Sequence, residues 1–238
     1  MRQTNKIRKG IAWLLCTVLV LGILPMLPQM SMQISAAENA ASVFVDGVEL
    51  HAGSQEYFKN GDTADSGATG TYEDHSAYYD TAGELWLNNL EAHTIKADGN
   101  LIIYVCNNQA TNTNIVTATQ NETAIEVTGY LTIRYGGYGG GTGSLTVESD
   151  GKEAIQAGSG MTVSDGVEVK ARAKSGATAI SSGGVLKIDG IRTKLEAAGD
   201  GSTGKGIFAQ QSIYVKNSAV LTAFGGAAAY ESPSGIDK

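Results

Sequence analysis

The segment AIEVTGYLTI at residues 124–133 decides how this chain is read. It returns as AIQAGSGMTV at 154–163, AISSGGVLKI at 179–188 and GIFAQQSIYV at 206–215, with a looser copy starting at Thr94. Each copy has a small residue, an isoleucine, and apolar residues six and eight positions further on. The isoleucines are Ile95, Ile125, Ile155, Ile180 and Ile207, spaced 30, 30, 25 and 27 residues apart. The apolar pairs that follow are Leu101/Ile103, Leu131/Ile133, Met161/Val163, Leu186/Ile188 and Ile213/Val215. Apolar residues two apart specify a strand with one buried face. Self-similarity at this period specifies stacked repeats.

A further strand follows in most repeats, at Leu145/Val147, Val169/Ala171, Leu195/Ala197 and Leu221/Ala223. Three short strands per repeat give an all-β chain, a parallel β-helix of about five coils, with stacked strands about 4.8 Å apart. Gly99, Gly129, Gly158 and Gly183 recur just past the isoleucines. They are expected to supply positive-φ corners. Stacking also sets residues of equal offset side by side, so Lys170–Glu196 and Glu148–Arg172 are expected as ion pairs between coils.

Upstream, Val43 to Leu50 reads as a hairpin turning at Asp46-Gly47. Residues 53–77 are polar and glycine-rich, hence loop, and Leu85-Trp86-Leu87 is a strand. Residues 38–92 are taken as an N-terminal cap, because the first coil of a solenoid needs a cover, and residues 93–238 as the repeats. The chain stops at Lys238 partway through a repeat-like segment, which reads as truncation of a longer protein.

Residues 1–37 combine a basic start (Arg2, Lys6, Arg8, Lys9), an apolar run from Ile11 to Leu27 and small residues at Ser35-Ala36-Ala37. This is the pattern of a secretory signal peptide. It implies a secreted or surface-attached protein with no membrane insertion after cleavage. Four of the 17 basic residues and none of the 24 acidic ones lie in this segment, so the remainder carries a net charge of −11. Such a balance disfavours nucleic acid. Only Cys106 follows the signal, so no disulfide can form within the mature chain.

Motifs for catalysis are sparse. Gly199 to Gly206 imitates a phosphate-binding loop, but the next segment is a strand repeat and not the helix such a loop needs. His51, His75 and His93 share no motif. The outward row Tyr104, Arg134, Ser164, Asp189 and Lys216 contains the bases a polysaccharide lyase would use, Arg134 and Lys216, without adjacent paired carboxylates. A carbohydrate-binding surface has more to draw on. Tyr104 and Tyr214 project from the outer face, and Arg134, Tyr135 and Tyr138 lie in or beside a glycine-rich insertion. No catalytic residue and no organic cofactor are assigned. Calcium has one candidate loop, carrying Asp62, Asp65, Asp74 and Asp80, although its spacing is not that of an EF-hand.

The four repeats quoted above, with VFVDGVEL at 43–50 and YYDTAGELWLNNLEA at 78–92, resemble the secreted right-handed β-helix repeat proteins of Clostridia-type bacteria. The chain is also similar to the carbohydrate-binding, polysaccharide-lyase-like β-helix family. The resemblance implies polysaccharide binding, with calcium, at a cell surface. It leaves a lyase-type enzyme and a structural or adhesive segment as alternatives.

Overall fold

The computed structural model describes residues 38–106, 113–119, 121–137 and 142–237. Residues 1–37, read above as a secretory signal, lie outside them. The strands follow the repeat pattern. Six precede the regular coils: β1 (Ser42–Val45), β2 (Val48–His51), β3 (Glu56–Phe58), β4 (Ala77–Tyr79), β5 (Glu84–Leu87) and β6 (Glu91–Ala92). The coils then contribute β7 (Ile95–Ala97), β8 (Leu101–Val105), β9 (Asn114–Ala118), β10 (Ile125–Val127), β11 (Tyr130–Tyr135), β12 (Ser144–Asp150), β13 (Ile155–Ala157), β14 (Gly160–Ser164) and β15 (Glu168–Lys174). After these come β16 (Ile180–Ser182), β17 (Leu186–Asp189), β18 (Lys194–Gly199), β19 (Lys205–Ala209), β20 (Ile213–Lys216), β21 (Val220–Gly225), β22 (Ala228–Glu231) and β23 (Ile236–Asp237).

These strands form three sheets that run the length of a β-solenoid. The eight-stranded sheet is ordered β2-β1-β7-β10-β13-β16-β19-β22, and the six-stranded one β21-β18-β15-β12-β9-β6. The nine-stranded sheet is ordered β23-β20-β17-β14-β11-β8-β5-β4-β3. Coil-to-coil pairing is parallel, and the register is the sequence register. Ile95, Ile125, Ile155, Ile180 and Ile207 stand in one column, as do Leu101, Leu131, Met161, Leu186 and Ile213. All ten side chains are fully buried. A fully buried aliphatic side chain contributes about 1.5–3 kcal/mol, so each column is a continuous line of stabilising contacts along the core.

The first regular coil carries its third strand, β9, without the expected leucine. Asn114 stands opposite Leu145 instead. It is completely buried. Its Oδ1 accepts from Leu90 N at 3.0 Å and its Nδ2 donates to Ser144 O at 3.3 Å, so the polar side chain stitches the corner before β6 to the coil above. Parallel stacking also begins earlier than residue 93, because β5 pairs with β8 and β6 with β9. The cap proper is antiparallel. The β1–β2 hairpin turns at Asp46-Gly47, with φ of 50° and 80° as a two-residue hairpin turn needs. Its β1 strand covers the edge of β7, while β3 and β4 extend the edge of β5.

Two expectations change on the structure. Of the corner glycines only Gly99 has positive φ (111°). Gly129, Gly158 and Gly183 are needed for closeness. A Cβ there would overlap the carbonyl oxygens of Gly99, Thr128 and Gly158, respectively, in the coil beneath. The charged pairs also differ. Lys170 does stand beside Glu196, and Glu148 beside Arg172. Lys170, Glu148 and Arg172 pair diagonally or along the strand instead: Lys174–Glu148 at 3.1 Å, Arg172–Asp200 at 2.9 Å and Lys170–Glu168 at 3.3 Å. Long solvated side chains choose among several neighbours at little energetic difference. Gly199 to Gly206 forms the turn from β18 to β19, with no helix following.

Gly183→Ala is expected to lower stability by about 2–3 kcal/mol, since overpacking against a fixed backbone cannot relax. Urea denaturation checks this. An unchanged midpoint would refute the corner packing.

Candidate binding surface

One outward row on the nine-stranded sheet collects most of the chemistry. Strand register places Tyr57, Tyr78, Trp86, Tyr104, Arg134, Ser164, Asp189 and Lys216 side by side, from the cap to the far coils. Adjacent strands lie about 4.8 Å apart, which is stacking distance for rings standing upright on the sheet. Trp86 and Tyr104 are accordingly stacked, with centroids 4.0 Å apart and planes 8° from parallel. Tyr78 and Trp86 have nearly parallel planes, with centroids 5.8 Å apart and 2° between them. The Arg134 guanidinium lies 4.4 Å from the centre of the Tyr104 ring. It also donates to the Tyr104 hydroxyl and sits 3.6 Å from the Glu84 carboxylate.

Asp80 fixes this stack. Its Oδ1 accepts from Ala82 N and Glu84 N, and its Oδ2 accepts from the Trp86 indole N–H at 3.0 Å. Burial, aided by the Cys106 and Asp80 charges, pushes the Tyr78 hydroxyl up to about 12. Burial likewise raises Tyr104, against the opposing pull of Arg134. Both tyrosines therefore stay neutral donors across the physiological range.

The geometry assigns different roles to faces and edges. Tyr104 has Trp86 on one side and Arg134 on the other, and Trp86 lies between Tyr78 and Tyr104. Inside the row the rings offer edges and hydroxyls. An open ring occurs at the cap end, where Tyr72 is 75 % exposed and meets Tyr57 edge-on at 6.5 Å. His75 wedges between Tyr57 and Tyr78 at 5.3 and 5.2 Å. Its Nδ1 lies 3.2 and 3.0 Å from the carbonyls of Thr71 and Tyr72. Carbonyls only accept, so Nδ1 carries a proton and donates to them.

The other candidates fall elsewhere. Tyr135 is the last residue of β11, in the inward register opposite Val105, and packs against the core. Tyr138 lies outside the described residues. Tyr214 faces outward in the neighbouring row, beside Lys187, with the Lys216 ammonium 4.9 Å from its ring centre. Asp189 is paired with Lys187 at 2.6 Å, which holds its carboxyl below the usual range, and it accepts from Asn217. Cys106 is largely shielded, and burial pushes its thiol up to about 11, which keeps it unreactive.

The calcium candidates do separate tasks. Asp62 is buried and accepts from Lys59 N, Thr69 N and the Thr69 hydroxyl. Asp74 pairs with Lys59, and Asp80 orients Trp86. Asp65 is exposed on the same loop. Among the described residues no group of three or more histidine, cysteine or acidic side chains is arranged to hold a metal, so these four do not fit an ion as they stand.

The sequence pattern of the repeats led to Tyr104 and Arg134, but not to Tyr57, Tyr72, His75, Tyr78 or Trp86. The alternation Tyr78-x-Asp80 and Leu85-Trp86-Leu87 held the signal for part of this set. Comparison with known protein families, curated proteins and solved structures finds no match to this chain.

A double-mutant cycle on Trp86→Ala and Tyr104→Ala is expected to give a coupling energy of about 1 kcal/mol. Additive losses would mean that the rings do not stack in solution. Asp62 supplies a pH test. Burial alone would raise its pKa, but the hydrogen bonds from Thr69, Lys59 and Gly70 outweigh it and hold the pKa below 3.8. The stabilisation it gives is therefore present above the unfolded value and is lost as pH falls through the folded one. Hydrogen exchange across residues 59–70 is expected to accelerate as pH drops below 3.8 once the intrinsic pH effect is removed, and this dependence should vanish in Asp62→Asn.

Proposed function

We propose that this chain is an exported, non-catalytic β-solenoid that binds polysaccharide along the outer face of its nine-stranded sheet. The observation that carries the reading is the single straight row from Tyr57 to Lys216, with Tyr72 open at its end. A polymer laid along the rod meets one side chain per strand. Tyr72 offers a ring for the apolar face of a sugar, and tyrosines combine such a face with a hydroxyl. The edges of Tyr78, Trp86 and Tyr104, then Arg134, Ser164 and Lys216, offer polar contacts, with Tyr214 alongside. The strands hold these groups rigidly, which reduces the ordering cost of binding. Export rests on residues 1–37, and the ligand class on the resemblance of the repeats to carbohydrate-binding β-helices.

A second reading is a structural or adhesive segment. It is favoured by the mutual covering of the inner ring faces, which makes the stack a brace between cap and coils. The lyase reading draws less support, because Arg134 is engaged by Tyr104 and Glu84, and Asp189 by Lys187.

Retention on insoluble cellulose, pectin, mucin and peptidoglycan, with calcium or with EDTA, separates these readings. Selective retention without product is expected, with Tyr72→Ala about tenfold weaker, a loss of about 1.4 kcal/mol. Release of unsaturated uronates would make the protein a lyase. Retention on none of the four would leave the structural role.

A further inference from the structure

We propose a second saccharide site, separate from the row, in the crevice where the cap hairpin meets the first coils. It does not rest on the reading above. The crevice has a volume of about 390 Å³ and is lined by Phe44, Asp46, Gly47, His93, Thr94, Lys96 and Glu122. Three chain segments converge there: the β1–β2 turn, the corner before β7 and the corner before β10.

Phe44 is the apolar element. It is 38 % exposed on the outer face of the eight-stranded sheet, between Glu49 and Lys96 in register. Such a ring among charged neighbours gains from an apolar cover. The polar groups around it are both acceptors and donors. Asp46 is fixed in place, because its Oδ1 accepts from His93 N at 2.6 Å and Thr94 N at 2.9 Å. Its Oδ2 lies 3.4 Å from the His93 Nδ1. Lys96 and Glu122 face each other at 3.6 Å, with both side chains about half exposed. His93 itself is 71 % exposed on its side chain.

The pattern of an aromatic surface ringed by preset carboxylates, an ammonium and an imidazole suits a sugar unit. The apolar face of the ring covers Phe44, while its hydroxyls donate to Asp46 and Glu122 and accept from Lys96. Two carboxylates against one ammonium leave the crevice acidic, so the ligand is a neutral sugar and not a uronate. The size fits one sugar unit or a chain end, whereas the row suits the length of a polymer.

The test is saturation-transfer NMR on the whole protein, using the methyl glycosides of glucose, galactose and N-acetylglucosamine, with glucuronate as the anionic comparison. Transfer to at least one neutral glycoside and not to glucuronate is expected. Phe44→Ala should weaken it about tenfold. Glu122→Gln, a change at an exposed side chain, should weaken it as well, so the conclusion does not depend on one variant folding. Tyr72→Ala should leave it intact. No transfer to any neutral glycoside, transfer unaffected by both crevice variants, or transfer lost in Tyr72→Ala would each overturn the crevice site. The last result would still be compatible with binding at the row.

Discussion

In-register stacking of like side chains between parallel coils is the constraint from which the rest of this molecule follows. Each isoleucine column is closed above and below by its own kind, so a coil's apolar residues are buried only by its neighbours. Stability is then a sum of nearest-neighbour terms, and the corners must approach closely enough for the strands to pair. That is why Gly129, Gly158 and Gly183 cannot carry a side chain: the carbonyl of the coil beneath occupies the space. It is also why the first coils need β1 to β4 as an antiparallel cover. At the opposite end Leu221, Ala223 and Ile236 are only half buried.

The same register governs the outside. A residue repeated at one offset becomes a line along the rod, whatever its chemistry. When the line is aromatic, strand spacing is close to ring-stacking distance, and the rings satisfy one another. Stability and ligand binding thus compete for the same ring faces. Trp86 and Tyr104 are committed to the fold, and the free face appears only where the line ends, at Tyr72. An uncovered ring appears at the cap because the periodicity breaks there.

The repeat fold was readable because a period-2 apolar pattern at fixed offsets survives without any knowledge of contacts. The columns and the outward row from Tyr104 to Lys216 follow from it, and the Asp46-Gly47 turn was legible from its own dipeptide. The cap was not readable to the same degree. Its strands pair antiparallel across a long polar loop, so no offset rule places Tyr57 beside Tyr78 or Tyr78 beside Trp86. Tyr135 misled for a related reason. Glycines follow it in sequence, yet it keeps the inward register of Leu131 and Ile133 and ends its strand against the core. Asn114 escaped notice because a buried amide at an apolar position is legible only once Leu90 N and Ser144 O are seen to use it.

Electrostatics narrows what this surface can hold. Residues 38–238 carry a net charge of −11, and the cations on the outer faces are mostly engaged. Arg134 is shared by Tyr104 and Glu84, Lys187 pairs with Asp189, and Lys174 with Glu148. A polyanion approaching the rod meets a field of its own sign, which is screened only beyond about 8 Å at physiological salt. Close contact would also compete with existing ion pairs for each cation. A neutral polymer meets neither cost. It needs apolar ring surface and hydroxyl partners, and these are what the cap end and the upright tyrosines supply. The charge balance and the aromatic placement are independent features of the chain, and both suit an uncharged glycan as the ligand of the proposed function.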